Sequence, residues 1–216
     1  MAVKEVETYT VTERAYRAIR RNILEGLYRD DQFLREETIA GELNISRTPV
    51  REALRRLVSE GWLEQIPHRG ARVVGWTRED IYEVFELRGI LESHAANRAA
   101  SRMSTGEIQR LRHLVNAMEQ LANDRGEEAR EDIAALNDEF HQIILSASGS
   151  KRLQRLVDAI VQAPMTTRSF HRYDAKELAR SMMQHRDILN AIQEGEGAWA
   201  AAAMKAHILA ARPAHQ

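Results

Sequence analysis

Apolar residues recur at helical spacing through most of the chain, with one short interruption near residue 62. Ala15, Ile19, Ile23 and Leu27 form the first stripe and predict a helix over residues 10–27, with Gly26 at its exit turn. Residues 36–43 predict a short second helix with Ile39, Ala40 and Leu43 on one side, stopped at Asn44. Ser46 sits at an N-cap position and Pro49 in the first turn of a third helix, reaching about Glu60. Val50, Ala53, Leu54, Leu57 and Val58 occupy one face of it, and Arg47, Arg51 and Arg55 follow i, i+4, i+8 on another. Residues 62–66 and 71–74 then predict two strands joined by Pro67-His68-Arg69-Gly70.

From Thr77 onward only helices are predicted. Thr77-x-x-Asp80, Ser104-x-x-Glu107 and Asp174-x-x-Glu177 have the spacing of capping boxes. Further starts fall near Glu127 and Ser150, with the latter helix running past Val161 until Pro164 kinks or ends it. Glu194-Gly195-Glu196-Gly197 precedes a last helix over 198–211. The expected fold is therefore mainly α. Residues 1–76 form a winged helix-turn-helix of three helices plus a β-hairpin, and residues 77–216 an all-helical bundle of six or seven helices.

Composition narrows the chemistry. The chain has 216 residues, 44% of them hydrophobic, with 11 Gly, 4 Pro and no Cys. That supports a real core and excludes disulfide scaffolds, iron–sulfur clusters and thiolate chemistry. No apolar run is long enough to span a bilayer and the N-terminus has no secretory pattern, so a cytoplasmic location is expected. The net charge of −1 argues neither for nor against nucleic acid, because the arrangement of charge matters more than its sum.

The arginine row on the third helix is where arrangement counts. Arginine makes forked hydrogen bonds to phosphate and to the O6/N7 edge of guanine, and a helix of this kind fits the major groove. Arg47, Thr48 and Arg51 are candidate base readers, Ser46 and Arg55 candidate phosphate contacts, and His68-Arg69-Gly70 a candidate minor-groove tip. A solvated face with intrahelical pairs, Arg55 or Arg56 to Glu52 and Arg56 to Glu60, satisfies the same spacing.

In the second half, Asn137 and His141 lie i, i+4 on one helix, and His185 and His207 sit on two later ones. Three imidazoles and an oxygen ligand suit a divalent metal in a bundle interior, though lone helical histidines are more often surface or satisfied core. Arg88 lies mid-helix, either paired with Glu92 or gripping a carboxylate ligand. His171 and Arg172, near the loop before Asp174, are either cavity lining or solvated loop. A metal-dependent hydrolase or oxygenase with a DNA-binding appendage is the alternative reading. Against it, there is no HExxH motif, and of the paired Glu-x-x-His units of a di-iron site only Asp138-x-x-His141 comes close.

The string from Ser46 to Leu57, Ser-Arg-Thr-Pro-Val-Arg-Glu-Ala-Leu-Arg-Arg-Leu, with Glu60-Gly61 and a wing ending Arg69-Gly70-Ala71-Arg72-Val73, resembles the GntR family of bacterial transcription regulators. Leu87-Arg88-x-x-Leu91-Glu92, Phe140-His141 and the series His185, Ala191-Ile192, Gly195, Met204, His207 resemble the FCD effector domain of its fatty-acid-regulator branch. The resemblance spans about residues 10–210. It implies a homodimeric regulator, most often a repressor, on an inverted-repeat operator, with a small organic acid sensed in a metal-containing domain. It places Ser46, Arg47, Thr48 and Arg51 at operator contacts and Arg69 and Gly70 at the wing tip. Asn137, His141, His185 and His207 fall on metal-ligand positions, with Zn, Ni and Mn not distinguished. Two departures stand out. Glu37 occupies a position where some relatives carry Arg, so that operator contact is expected to be absent here, with Arg35 an uncertain substitute, and Asn137 stands where Asp is the more familiar ligand.

Overall fold

The computed structural model describes residues 9–212 apart from 68 and 162. The chain divides into two compact units at Trp76–Thr77.

In the first unit, α1 (Val11–Leu24) starts at Thr10, whose hydroxyl accepts the Glu13 N–H at 3.1 Å. It ends before Gly26, which adopts φ 73°, so Leu27 lies beyond the helix and is 65% exposed rather than part of the apolar stripe. A two-residue strand, β1 (Phe33–Leu34), leads into α2 (Glu36–Leu43). Asn44 closes α2 in the left-handed conformation, its N–H returned to the last turn. Next comes α3 (Arg47–Ser59), preceded by an extended Ser46 whose side chain makes no capping hydrogen bond. Its face of Val50, Ala53, Leu54 and Leu57 is buried in one core with Ile19 and Ile23 of α1 and Ile39 of α2.

The hairpin is β2 (Leu63–Ile66) and β3 (Gly70–Val73), antiparallel, with Leu63 opposite Val73 and Ile66 opposite Gly70. β1 adds to the other edge of β3, giving the order β1-β3-β2, which the alternation pattern did not reveal. Gly70 has φ 99°, and a Cβ there would lie 3.0 Å from the Leu34 carbonyl oxygen. Only glycine lets β1 approach this closely.

In the second unit, among the described residues, seven α-helices follow. They are α4 (Arg78–Ala100), α5 (Thr105–Asp124), α6 (Arg130–Ala147), α7 (Lys151–Ile160), α8 (Ala163–Arg172), α9 (Ala175–Gln193) and α10 (Gly197–Ala211). A 3₁₀ turn, Gly126–Ala129, precedes α6. All three capping boxes form, Thr77 with Asp80, Ser104 with Glu107 and Asp174 with Glu177. The helix expected to continue past Val161 instead stops at Ile160. Val161 is extended, and Pro164 takes the first turn of a new helix, where a missing N–H costs little.

α4 is the central helix and packs against α6, α7, α9 and α10. Its small residues Ala95, Ala96, Ala99 and Ala100 are buried. α10 begins so near α4 that a Cβ on Gly197 would meet the Asn97 carbonyl oxygen at 2.8 Å. This packing puts the polar middle of α4, Arg88 and Glu92, inside the bundle beside α6.

Candidate operator-binding surface and metal centre

In the first unit the apolar face of α3 is committed to the core, so its opposite face must meet solvent. Ser46, Arg47, Thr48, Arg51 and Arg55 are all exposed. Arg47, Arg51 and Arg55 line an open groove of about 1050 Å³, whose other walls include Arg35, Glu36 and Glu37 of the α2 entry and Arg69 and Gly70 of the wing. Five of the seven sequence-derived nucleic-acid candidates, Arg47, Arg51, Arg55, Arg69 and Gly70, thus line one groove, while Ser46 and Thr48 are exposed beside Arg47 without lining it, and His68 lies outside the described residues.

Two carboxylates missed as participants sit in this groove. Arg51 grips Glu36 through Nε at 2.9 Å and Nη2 at 3.0 Å. Arg51 holds the Glu36 carboxyl below its ordinary range, despite the opposing effect of partial burial. Arg47 donates from Nη1 to Glu37 at 2.8 Å. Arg56 is turned elsewhere. It pairs with Glu60 as the spacing suggested and also with Glu13 of α1, both at 2.9 Å, lying over the Tyr16 ring. Glu52 instead accepts from the Thr12 hydroxyl. Nothing in helical spacing signals the Glu36 and Glu37 bonds, since both cross between helices.

In the second unit, Asn137 and His141 on α6, His185 on α9 and His207 on α10 are all buried and converge. The three imidazoles offer ligand nitrogens that all lie within 4.8 Å of one another. His141 Nε2 is 3.3 Å from His207 Nε2, and His185 Nε2 is 2.9 Å from Asn137 Oδ1. Ligands bound at about 2.1 Å to one ion, subtending roughly right or tetrahedral angles, lie about 3.0–3.4 Å apart.

The hydrogen bonding also fits a cation. His185 donates Nδ1–H to the Ser181 carbonyl at 2.7 Å. Burial, reinforced by His141, pushes its pKa down to about 3, so Nε2 presents a lone pair toward the amide oxygen of Asn137. A cation placed between these two buried acceptors would satisfy both. His207 is likewise held neutral, first by burial and then by its histidine neighbours, and its Nδ1 is buried without a partner. Three imidazoles and an amide oxygen are a suitable donor set for a divalent transition metal.

Glu92 stands behind this cluster. It accepts Nδ1–H of His141 at 2.6 Å and Nε–H of Arg88 at 2.7 Å. Burial would raise its pKa, but Arg88 and His141 outweigh that and bring it down to about 2. Arg88 is therefore the intrahelical partner of Glu92, yet it also lines two cavities. One, of about 20 Å³, is shared with Asn137, His141, His207, Thr166 and Ser169. The other, of about 140 Å³, is walled by Glu92, Asp138, His141, Gln142, Leu145 and Val157. Asp138 thus faces a cavity, and burial raises its pKa, an effect His141 partly offsets. His171 and Arg172 are not loop residues. They end α8 and, among the described residues, line neither cavity.

A winged helix-turn-helix with an exposed arginine row, followed by a helical sensor-type bundle, defines a transcription regulator. Residues 11–73 match the bacterial regulatory proteins of the gntR family and residues 83–210 match the FCD domain. The chain belongs to the GntR family and carries an FCD domain.

It is similar to the Nta operon transcriptional regulator of Aminobacter aminovorans, 31% identical over 84% of this chain and 83% of that one. It is also similar to the HTH-type transcriptional repressor RspR of Escherichia coli strain K12, 27% identical over 93% of this chain and 87% of that one. Among solved structures, Lar of Listeria monocytogenes shares the fold, with a TM-score of 0.70, 18% identity, and 97% and 98% of the two chains covered. These families and curated relatives are transcription regulators rather than enzymes, and so is this chain. No helix among the described residues is long and apolar enough to cross a membrane.

Proposed function

We propose that this chain is a ligand-responsive repressor that binds an inverted-repeat operator as a homodimer. The observation that carries the reading is the exposed row Arg47, Arg51 and Arg55 on α3, lining one groove with Arg69 and Gly70. α3 enters the major groove, where Ser46, Arg47, Thr48 and Arg51 contact the site and Arg55 meets phosphate, while Arg69 and Gly70 approach the adjacent minor groove. Two-fold symmetry of the protein implies the inverted repeat.

The helical unit holds a divalent metal on Asn137, His141, His185 and His207. When bound, the metal supplies a Lewis-acid anchor for an effector carboxylate. Arg88 offers the second grip, since it lines both cavities as well as pairing with Glu92. The two cavities that Arg88 lines, about 20 Å³ beside Asn137, His141 and His207 and about 140 Å³ beside His141, set the scale of the effector at a small molecule. The effector regulates by binding the DNA-competent and incompetent arrangements with different affinity.

An electrophoretic shift assay against the region upstream of the gene, with and without a panel of small organic acids, tests this. Specific retardation lost in Arg51→Ala and altered by an acid is expected. Full retention of specific binding by Arg51→Ala would remove α3 as the recognition helix.

A further inference from the structure

Five guanidinium groups line the groove beside α3, those of Arg35, Arg47, Arg51, Arg55 and Arg69, and the carboxylates of Glu36 and Glu37 lie among them. A surface that receives a polyanion has reason to exclude bare carboxylates. Glu36 is accounted for. Its side chain is 28% exposed, and Arg51 takes both of its oxygens, with Arg47 a further 3.6 Å away, so it braces two readers. Glu37 is different. It receives one N–H, from Arg47, and its side chain remains 73% exposed. A carboxylate has about four acceptor positions, so most of its capacity is left over.

We infer that Glu37 is a specificity-determining residue that accepts the N4–H₂ of a cytosine in the operator while Arg47 reads guanine. The inference rests on the operator-binding reading above. In the major groove a G·C pair shows guanine N7 and O6 as acceptors beside the cytosine N4 donor. Arg47 and Glu37 show the reverse, donors beside an acceptor, coupled at 2.8 Å. Wherever the Arg47 guanidinium meets a base edge, the Glu37 carboxylate is within one hydrogen bond of it. The two charges cancel locally, so the pair adds little to phosphate attraction and contributes discrimination instead. Arginine at this position would donate where Glu37 accepts, so the same backbone reads a different base.

The test is selection from a randomised duplex library with the full-length chain and its Glu37→Ala and Glu37→Gln variants, alongside affinity measured at several salt concentrations. The wild type is expected to enrich cytosine at one position in each half-site. Glu37→Ala should flatten that position by about tenfold and leave the others unchanged. Glu37→Gln, which adds a donor, should move the preference toward adenine. Equal thermal unfolding of the three chains excludes a folding defect at this exposed site. If Glu37→Ala keeps the cytosine preference and merely binds every duplex more tightly, Glu37 only repels and the inference is overturned while the operator reading stands. If the wild type enriches no sequence at all, both are overturned.

Discussion

Glu92 on α4 and His141 on α6, 49 residues apart in sequence, are joined by a 2.6 Å hydrogen bond inside the helical bundle. This is the arrangement by which a carboxylate fixes the tautomer and orientation of a metal-binding imidazole, leaving Nε2 free to ligate. Glu92→Gln keeps the shape and an acceptor but removes the charge. Zn²⁺ affinity, measured by competition with a chromogenic chelator, is expected to fall about tenfold to a hundredfold. Unchanged affinity would mean that His141 is not held for a metal by Glu92.

Asn137 provides the complementary experiment. Its oxygen lies 2.9 Å from His185 Nε2 and carries no net charge. Asn137→Asp adds a negative charge against a dication, and about tenfold tighter metal binding is expected where that attraction exceeds the added desolvation. The same titration should show His185→Ala losing most of the affinity. Should both variants match the wild type, residue 137 and the histidine cluster are structural rather than ligating.

How far these features were visible in the sequence depends on how local they are. The pairs Thr77 with Asp80, Ser104 with Glu107 and Asp174 with Glu177 span three residues each and fold as their spacing indicates. The four buried ligand candidates were identifiable because their residue types and family resemblance agree. Glu92 was legible only as the i+4 partner of Arg88, since its bond to His141 is set by helix packing. β1 was invisible for a related reason: Phe33 and Leu34 become a strand only through pairing with Arg72 and Ala71. Leu27 misled because its spacing continues a helix that Gly26 has already ended.

Substitution of Arg55 tests whether phosphate contact is separate from base reading. Arg55 is exposed on the same ridge as Arg51, one turn further from the α3 N-terminus. Arg55→Ala is expected to weaken binding to specific and nonspecific duplexes alike and to reduce the slope of log K against log salt by about 0.9. Arg51→Ala should instead cost about 1–3 kcal/mol on the operator, with relaxed preference at one base. Fluorescence anisotropy on both duplexes from low to moderate salt distinguishes the two, and an unchanged slope for Arg55→Ala would deny it a phosphate.

Alkaline pH should reveal two ties that hold the DNA-binding unit together. Tyr16 donates its hydroxyl to Glu60 at 2.6 Å, and Tyr28 donates to Glu42 at 2.5 Å. Burial, aided by the neighbouring carboxylate, raises each phenol from its ordinary 10 to about 12. A folded-state pKa above the unfolded one means that the neutral phenol is favoured by folding. Its contribution is therefore whole below pH 10 and disappears as pH rises through 12. Melting temperature of the full chain should decline across that window, in step with the late part of the phenolate absorbance titration. Tyr16→Phe and Tyr28→Phe should each lower stability at pH 8, where a hydrogen bond worth about 1 kcal/mol or more is lost, and flatten the decline between 10 and 12. A variant that melts lower at pH 8 yet keeps the full alkaline decline would show that its phenol is not the titrating group, and the assignment would pass to the other tyrosine.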